Sequence, residues 1–191
     1  LAQLAGLLVV RGKPAEALEF AQRSITVGEA TRGPDAPMLV RPLQYAAEAQ
    51  RALGELPEAL RTYERAASLV ERFPKDTERP WIVAHYRGLA RLQLELGERA
   101  QARASLDAAR AAAGTEPTLT VERASTLRAL GALSSGDEVA AGRAALKEAL
   151  DLYRTRLPDN HPAILRTLAE SCALDLRAGS TDMATCQDAA T

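Results

Sequence analysis

The chain has 191 residues, of which 47% are hydrophobic and only 4% aromatic. Its 24 basic and 25 acidic residues leave a net charge of −1, so no overall field attracts nucleic acid or an anionic membrane. No apolar run approaches the ~18 residues that a membrane-spanning helix needs. The composition favours helices packed through small side chains and excludes a sheet held by aromatic pairs, a nucleic-acid-binding protein and a membrane protein.

The first predicted helix covers residues 1–11, where Leu1, Leu4 and Leu8 recur at helical spacing. Pro14 opens a second helix that runs to about residue 31, and the breaker Gly33 follows it. Two helices separated by a short turn form an antiparallel pair.

The stretch from residue 35 to residue 60 shows a unit that recurs along the chain. Pro37 starts a helix, Gly54 ends it, and a second helix opens at Pro57–Ala59. Such turn glycines recur 39 to 43 residues apart, and they are Gly12, Gly54, Gly97, Gly136 and Gly179. A fixed period of this length is the signature of a repeat array.

Two series of small residues keep the same register as the glycines. Five positions after the glycine stand Ala17, Ala59, Ala102 and Ala184, with Gly142 slipped by one in the fourth unit. Seven positions before it stand Ala5, Ala47, Ala90 and Cys172, and Gly131 is the fourth unit's equivalent. Small residues at paired positions predict that the two helices of each unit approach closely there.

A proline series marks where the units begin. Pro37, Pro80 and Pro162 each precede the turn glycine by 17 residues, and Pro117 precedes Gly136 by 19, which predicts a longer first helix in the fourth unit. We therefore predict one array over residues 1–191, with repeats at about 1–34, 35–74, 75–114, 115–156 and 157–191. Because the chain begins and ends inside helical patterns, we expect its first and last repeats to be truncated parts of a longer protein.

These residues resemble tetratricopeptide repeats. The small residues and the turns GKPAEAL and GELPEAL carry the resemblance, and the starts GPDAPMLVRPLQYAAEAQ and PDNHPAILRTLAES are similar to the long kinesin light chain-like variant, which also occurs in bacterial regulatory proteins. The chain departs from that pattern at Ala36, where the variant has histidine, and at Ser171, where a large apolar residue is usual. The resemblance implies an all-α, right-handed superhelix of about ten antiparallel helices, an α-solenoid whose first helices line a concave groove.

The resemblance also implies a function. It predicts a cytoplasmic protein–protein interaction module that binds a peptide or a partner segment in the groove. The alternative is an intramolecular regulatory segment of a larger signalling protein, such as a bacterial serine/threonine kinase or a transcription regulator. An enzyme is the third and least supported hypothesis.

The register of the resembled family selects the peptide-binding residues. They are Arg41, Gln44, Tyr45, Glu48, Arg51, Arg87, Arg91, Leu94, Glu95 and Arg128. A solvated helix face explains any single arginine, but arginines recur here in three consecutive repeats. Guanidinium groups bind carboxylates bidentately, so we expect an acidic peptide that carries one or two large apolar residues.

Motifs for catalysis or for cofactors are absent from the sequence. It contains no glycine-rich phosphate loop, HExxH, paired CxxC or GxSxG, so we expect no catalytic residue, no cofactor and no metal. Structural roles are expected for His85 and His161. The cysteines Cys172 and Cys186 have no metal-ligand spacing, and Cys172 at a packing position predicts a buried, inert thiol and a reducing compartment.

Overall fold

Helices make up almost all of the part of the chain that the structure describes. The computed structural model describes residues 1–70, 72, 79–179 and 186, and within them no strand occurs. The helices are α1 (Ala2–Val10), α2 (Pro14–Arg32), α3 (Val40–Ala52), α4 (Leu56–Val70), α5 (Arg79–Glu95), α6 (Arg99–Ala113), α7 (Thr120–Leu133), α8 (Val139–Arg154) and α9 (Pro162–Arg177). Apart from Cys186, the predicted second helix of the fifth repeat lies outside the described residues.

Two compact units divide the chain, Leu1–Ser105 and Leu106–Thr191. In the first unit α1 packs on α2, α3 on α4, and α3 also contacts α1 and α5. In the second unit α8 packs on α7 and α9, and α7 contacts α9. In both units, therefore, the first helix of a repeat contacts the first helix of the next. The single array over residues 1–191 stays a prediction.

The turns between paired helices depend on glycines in the left-handed region. All five predicted turn glycines have positive φ, from 57° at Gly136 to 84° at Gly54. After Gly54 the Glu55 N–H donates to the Gln50 carbonyl at 2.9 Å, which closes the helix in the Schellman pattern. The N–H of Glu98 donates to the carbonyl of Gln93 in the same way at 2.8 Å.

The small residues lie where paired helices touch, as predicted. Ala47 and Ala59 are completely buried, in a cluster with Tyr63, Leu89 and Leu92. In the fourth repeat a Cβ added to Gly131 would lie 2.9 Å from the Gly142 carbonyl oxygen, which is too close for any side chain. The slipped register of Gly142 is therefore right, and α7 and α8 meet backbone to backbone.

Prolines start helices in two different ways. Pro162 is the first residue of α9, and the Nδ1 of His161 accepts a hydrogen bond from the Ala163 N–H at 3.1 Å, so His161 caps the helix. Pro37 and Pro117 each open a short 3₁₀ turn, Pro37–Leu39 and Pro117–Leu119, before the α-helix. The structural role predicted for His161 is confirmed.

The prediction of an inert thiol at Cys172 is wrong. Cys172 forms a disulfide with Cys186, their Cα atoms are 4.8 Å apart, and 14 positions separate them in sequence. Cα atoms at this separation lie within the range that a disulfide spans. Since disulfides persist in oxidising environments, the cysteines do not favour a reducing compartment.

We predict that Ala59→Leu lowers the free energy of unfolding by about 1–3 kcal/mol, because the larger side chain overpacks the contact between α3 and α4. Urea unfolding followed by circular dichroism measures the loss. The matched control is Ala52→Leu, at an exposed position of α3, which should change stability by much less. Equal losses in the two variants would contradict the repeat register.

Candidate functional site

The candidate binding surface is built on α3 and α5, the first helices of the second and third repeats. We call it the first-helix face, defined by the predicted residues Arg41, Gln44, Tyr45, Glu48, Arg51, Arg87, Arg91, Leu94 and Glu95. The two helices contact each other within the unit Leu1–Ser105. The tenth predicted residue, Arg128 on α7, belongs to the other unit and is described separately.

A network of ion pairs joins four of these residues across the two helices. The Glu48 carboxylate accepts hydrogen bonds from Arg51 Nε at 3.4 Å and from Arg91. Arg51 in turn donates to Glu95 at 2.8 Å. The residues that pair between helices are 43 and 44 positions apart, which is one repeat period. The structure therefore brings Glu48, Arg51, Arg91 and Glu95 together, with the arginines bound to carboxylates of the same face.

Buried Tyr63 of α4 anchors this network in the core. Its hydroxyl donates to Glu48 at 2.5 Å, while its ring lies in the cluster with Ala47 and Ala59. Burial, and then the neighbouring Glu48 carboxylate, raise the pKa of Tyr63 well above its ordinary value, so the hydroxyl stays a donor. The position of Tyr63 on the apolar side of α4 predicts that the ring packs in the core, but it does not predict the partner of the hydroxyl.

Arg128 has the same kind of partner in the second unit. It donates to Glu170 on α9, the first helix of the next repeat, and the two residues are 42 positions apart. The side chain of Arg128 is 18% exposed and that of Glu170 is 26% exposed. Pairing across one repeat period therefore occurs in both units, and in both an arginine predicted to bind a peptide is held by a glutamate.

The remaining predicted residues differ in how far they reach the surface. Tyr45 packs against α1, where a Cβ added to Gly6 would lie 2.6 Å from the Tyr45 ring, and it contributes to the core around Ala5 and Ala46. Gln44 is 8% exposed, and Leu94 is 37% exposed. Of these three residues Leu94 offers most apolar surface to a partner.

Arg41 stacks on Trp81, a contact that the sequence did not predict. The guanidinium carbon of Arg41 lies 3.2 Å from the centre of the Trp81 ring, which joins the start of α3 to the start of α5. The Arg41 Nε is buried and has no hydrogen-bond partner. Arg41 lies four positions after Pro37 and Trp81 one position after Pro80, so the sequence places both residues near helix starts but does not show that they touch.

The first-helix face carries more positive than negative charge. Four arginines and two glutamates leave it a formal charge of +2, whereas the whole chain has −1. The side chain of Arg91 is 52% exposed although it is paired with Glu48. Because a guanidinium has five N–H donors, Arg91 can bind Glu48 and a further acceptor together.

The described residues offer no arrangement for metal chemistry or membrane insertion. In residues 1–70, 72, 79–179 and 186, no three His, Cys, Asp or Glu side chains are grouped so that they could hold a metal ion. Within the same residues, no helix combines the length and the apolar character that crossing a bilayer requires.

Comparison with solved structures shows the fold. A structure described as kinesin light chain nearly identical TPR-like repeats, from Podosopora anserina, matches with a TM-score of 0.79 and 19% identity, over 99% of this chain and 91% of that one. BtubC (BKLC) from P. vanneervenii matches with a TM-score of 0.77 and 18% identity, over 98% of this chain and 73% of that one. The MamA RS-1 ArsTM double mutant matches with a TM-score of 0.63 and 20% identity, over 98% and 85%.

Comparison of sequences identifies the repeat. Residues 1–72 match the tetratricopeptide repeat family model, and no curated protein matches the chain. Residues 1–72 therefore carry tetratricopeptide repeats, and the matching solved structures confirm the predicted all-α repeat fold. Arrays of such repeats serve as scaffolds for protein–protein interaction.

We predict that Glu48→Ala lowers the free energy of unfolding by about 1–3 kcal/mol, because it leaves the buried Tyr63 hydroxyl without its acceptor. The matched control is Glu19→Ala in the middle of α2, where the pair with Arg23 is exposed and 3.9 Å long. That change should cost no more than about 0.5 kcal/mol. Urea unfolding of both variants makes the comparison, and equal costs would mean that Glu48 does not organise the face.

His85 lies on α5 in the core beneath this face, completely buried. The rings of Tyr63 and Tyr86 lie 5.5 and 5.2 Å from its ring, and neither ring nitrogen has a hydrogen-bond partner. Burial lowers the pKa of His85 to about 4, because the charged imidazolium would lose its hydration. His85 is therefore a neutral core residue at pH 7, which fits the structural role predicted for it.

We predict that His85 makes stability depend on pH between about 6.5 and 4. The pKa of His85 is lower in the folded than in the unfolded chain. The contribution of neutral His85 to the free energy of unfolding is therefore complete above pH 6.5, and it is lost as the pH falls through this window. The difference in pKa corresponds to a loss of about 3 kcal/mol. Urea unfolding at several pH values should show a steeper acid loss for the natural chain than for His85→Phe. Parallel curves would show that His85 does not resist protonation.

Proposed function

We propose that the first-helix face binds an acidic peptide or partner segment that carries a large apolar residue. The excess positive charge of this face in a chain of net charge −1 carries the proposal. Charge of one sign on a binding face speeds association with a partner of the opposite sign and disfavours partners of the same sign.

The ion-pair network supplies donors as well as neutralising charge. Arg91 is half exposed, and it shares the Glu48 carboxylate with Arg51. Most of the N–H donors of Arg91 therefore remain for a ligand. A peptide carboxylate at Arg91 would add a second acceptor to a guanidinium that Glu48 already orients. Holding the guanidinium in place reduces the side-chain entropy that binding costs.

The apolar part of the ligand contacts Leu94 in this proposal. Leu94 is 37% exposed and lies on α5 within one helical turn of Arg91, so both side chains reach the same side of the helix. Tyr45 is partly buried against α1, so it leaves less apolar surface to a ligand than Leu94 does. A peptide with an acidic residue next to a leucine or an aromatic residue fits these positions.

We predict that a random-peptide library panned on the chain yields acidic sequences with at least one large apolar residue. Titration of an enriched peptide against Arg87→Glu/Arg91→Glu should show at least a tenfold weaker affinity, because two attractive charges become repulsive. Arg23→Glu on α2, away from the face, should bind as the natural chain does.

Folding controls separate lost binding from lost structure. Since Arg91→Glu would face Glu48, thermal melts accompany each titration, and Arg87→Gln/Arg91→Gln removes the charges without repulsion. Equal binding by both double variants and by the natural chain would show that the first-helix face is not the binding surface.

A further inference from the structure

A cavity of about 390 Å³ lies beside the Arg41–Trp81 stack, at the start of α3 and α5. Residues of five helices and one turn line it, and the apolar part of the lining is chiefly Met38, Val40, Val70 and Ile82. Met38 is 58% exposed, so the cavity has an apolar rim at the surface. The size and the predominantly apolar lining are those of a site for a small ligand or for one side chain of a larger one.

Arg41 is the charged group of this cavity, and Trp81 fixes its orientation. The ring covers one face of the guanidinium, whose carbon lies 3.2 Å from the ring centre. A ligand can therefore bind Arg41 through the N–H groups, which point outward in the plane of the guanidinium. One of them, Nε, is buried without a hydrogen-bond partner. A buried donor without an acceptor costs free energy, and a carboxylate is the acceptor that matches the guanidinium edge.

We propose that this cavity binds a carboxylate joined to an apolar body of about six to eight carbon atoms. The carboxylate accepts hydrogen bonds from Arg41, and the apolar body packs between Val70, Ile82 and Met38. A cationic ligand is repelled by Arg41. This site goes beyond peptide binding by the first-helix face and shares only Arg41 with it.

Trp81 reports on the cavity directly, because it is the only tryptophan of the chain. Titration with octanoate, monitored by tryptophan fluorescence and by calorimetry, should show saturable binding in the weak range expected for a ligand of about ten heavy atoms. Octanamide has the same length without the charge, and octylamine reverses it. We expect octanoate to bind at least tenfold more tightly than octanamide and octylamine not to bind.

Variants assign the effect to Arg41. Arg41→Gln should lose the preference for octanoate over octanamide while keeping octanamide binding, and Arg23→Gln should behave as the natural chain. Trp81→Leu, followed by calorimetry alone, should weaken octanoate because the guanidinium loses its support. Thermal melts check that each variant is folded.

The outcomes decide the proposal without reference to the acidic peptide. Equal affinity for octanoate and octanamide, a preference that survives Arg41→Gln, or absence of saturable binding would each overturn it. Acetyl-Ala-Ala-Leu with a free or an amidated C-terminus identifies the source of the carboxylate. Tighter binding of the free tripeptide than of octanoate would assign the site to a chain end, and the reverse order to a free acid.

Discussion

The close approach of paired helices at small residues is the constraint on which this structure depends. Ala47 against Ala59, and Gly131 against Gly142, let two backbones come together where a larger side chain would overpack. A glycine in the left-handed region then reverses the chain within a few residues. The first helix of one repeat therefore packs beside the first helix of the next. As a consequence, residues about 43 positions apart become neighbours on adjacent first helices.

That neighbourhood explains the ion pairs. Glu48 with Arg91, Arg51 with Glu95 and Arg128 with Glu170 each join residues one period apart. Such pairs connect consecutive repeats through side chains at the surface and leave the apolar contacts to the core. They also restrain Arg51 and Arg91 of the first-helix face, so the acidic ligand proposed above would meet guanidinium groups that are already oriented. The Tyr63 hydroxyl links this surface order to the core.

The sequence predicted what depends on local chemistry. Turn glycines, helix-starting prolines and the small-residue register follow from residue type and spacing, and the described residues show them. For His161 the sequence predicted a structural role, and the structure shows that this role is a helix cap. The partners of Arg91 and Arg128 could not be predicted, because they depend on which side chains reach one another across a period. Tyr45 turned towards α1 because Gly6 leaves room for its ring, a long-range match that no local pattern reveals.

The fifth repeat carries a disulfide at a small-residue position of the repeat. Cys172 occupies the position that Ala47 and Ala90 hold in earlier repeats, and it is bonded to Cys186. In the chain-entropy model, closing a loop of this length stabilises the folded state by about 3 kcal/mol, similar to burying one large apolar side chain. Disulfides persist mainly in oxidising environments, so this bond does not support the reducing compartment that the cysteines were expected to indicate. A covalent link therefore holds the repeat in which Ser171 stands where its relatives place a large apolar residue.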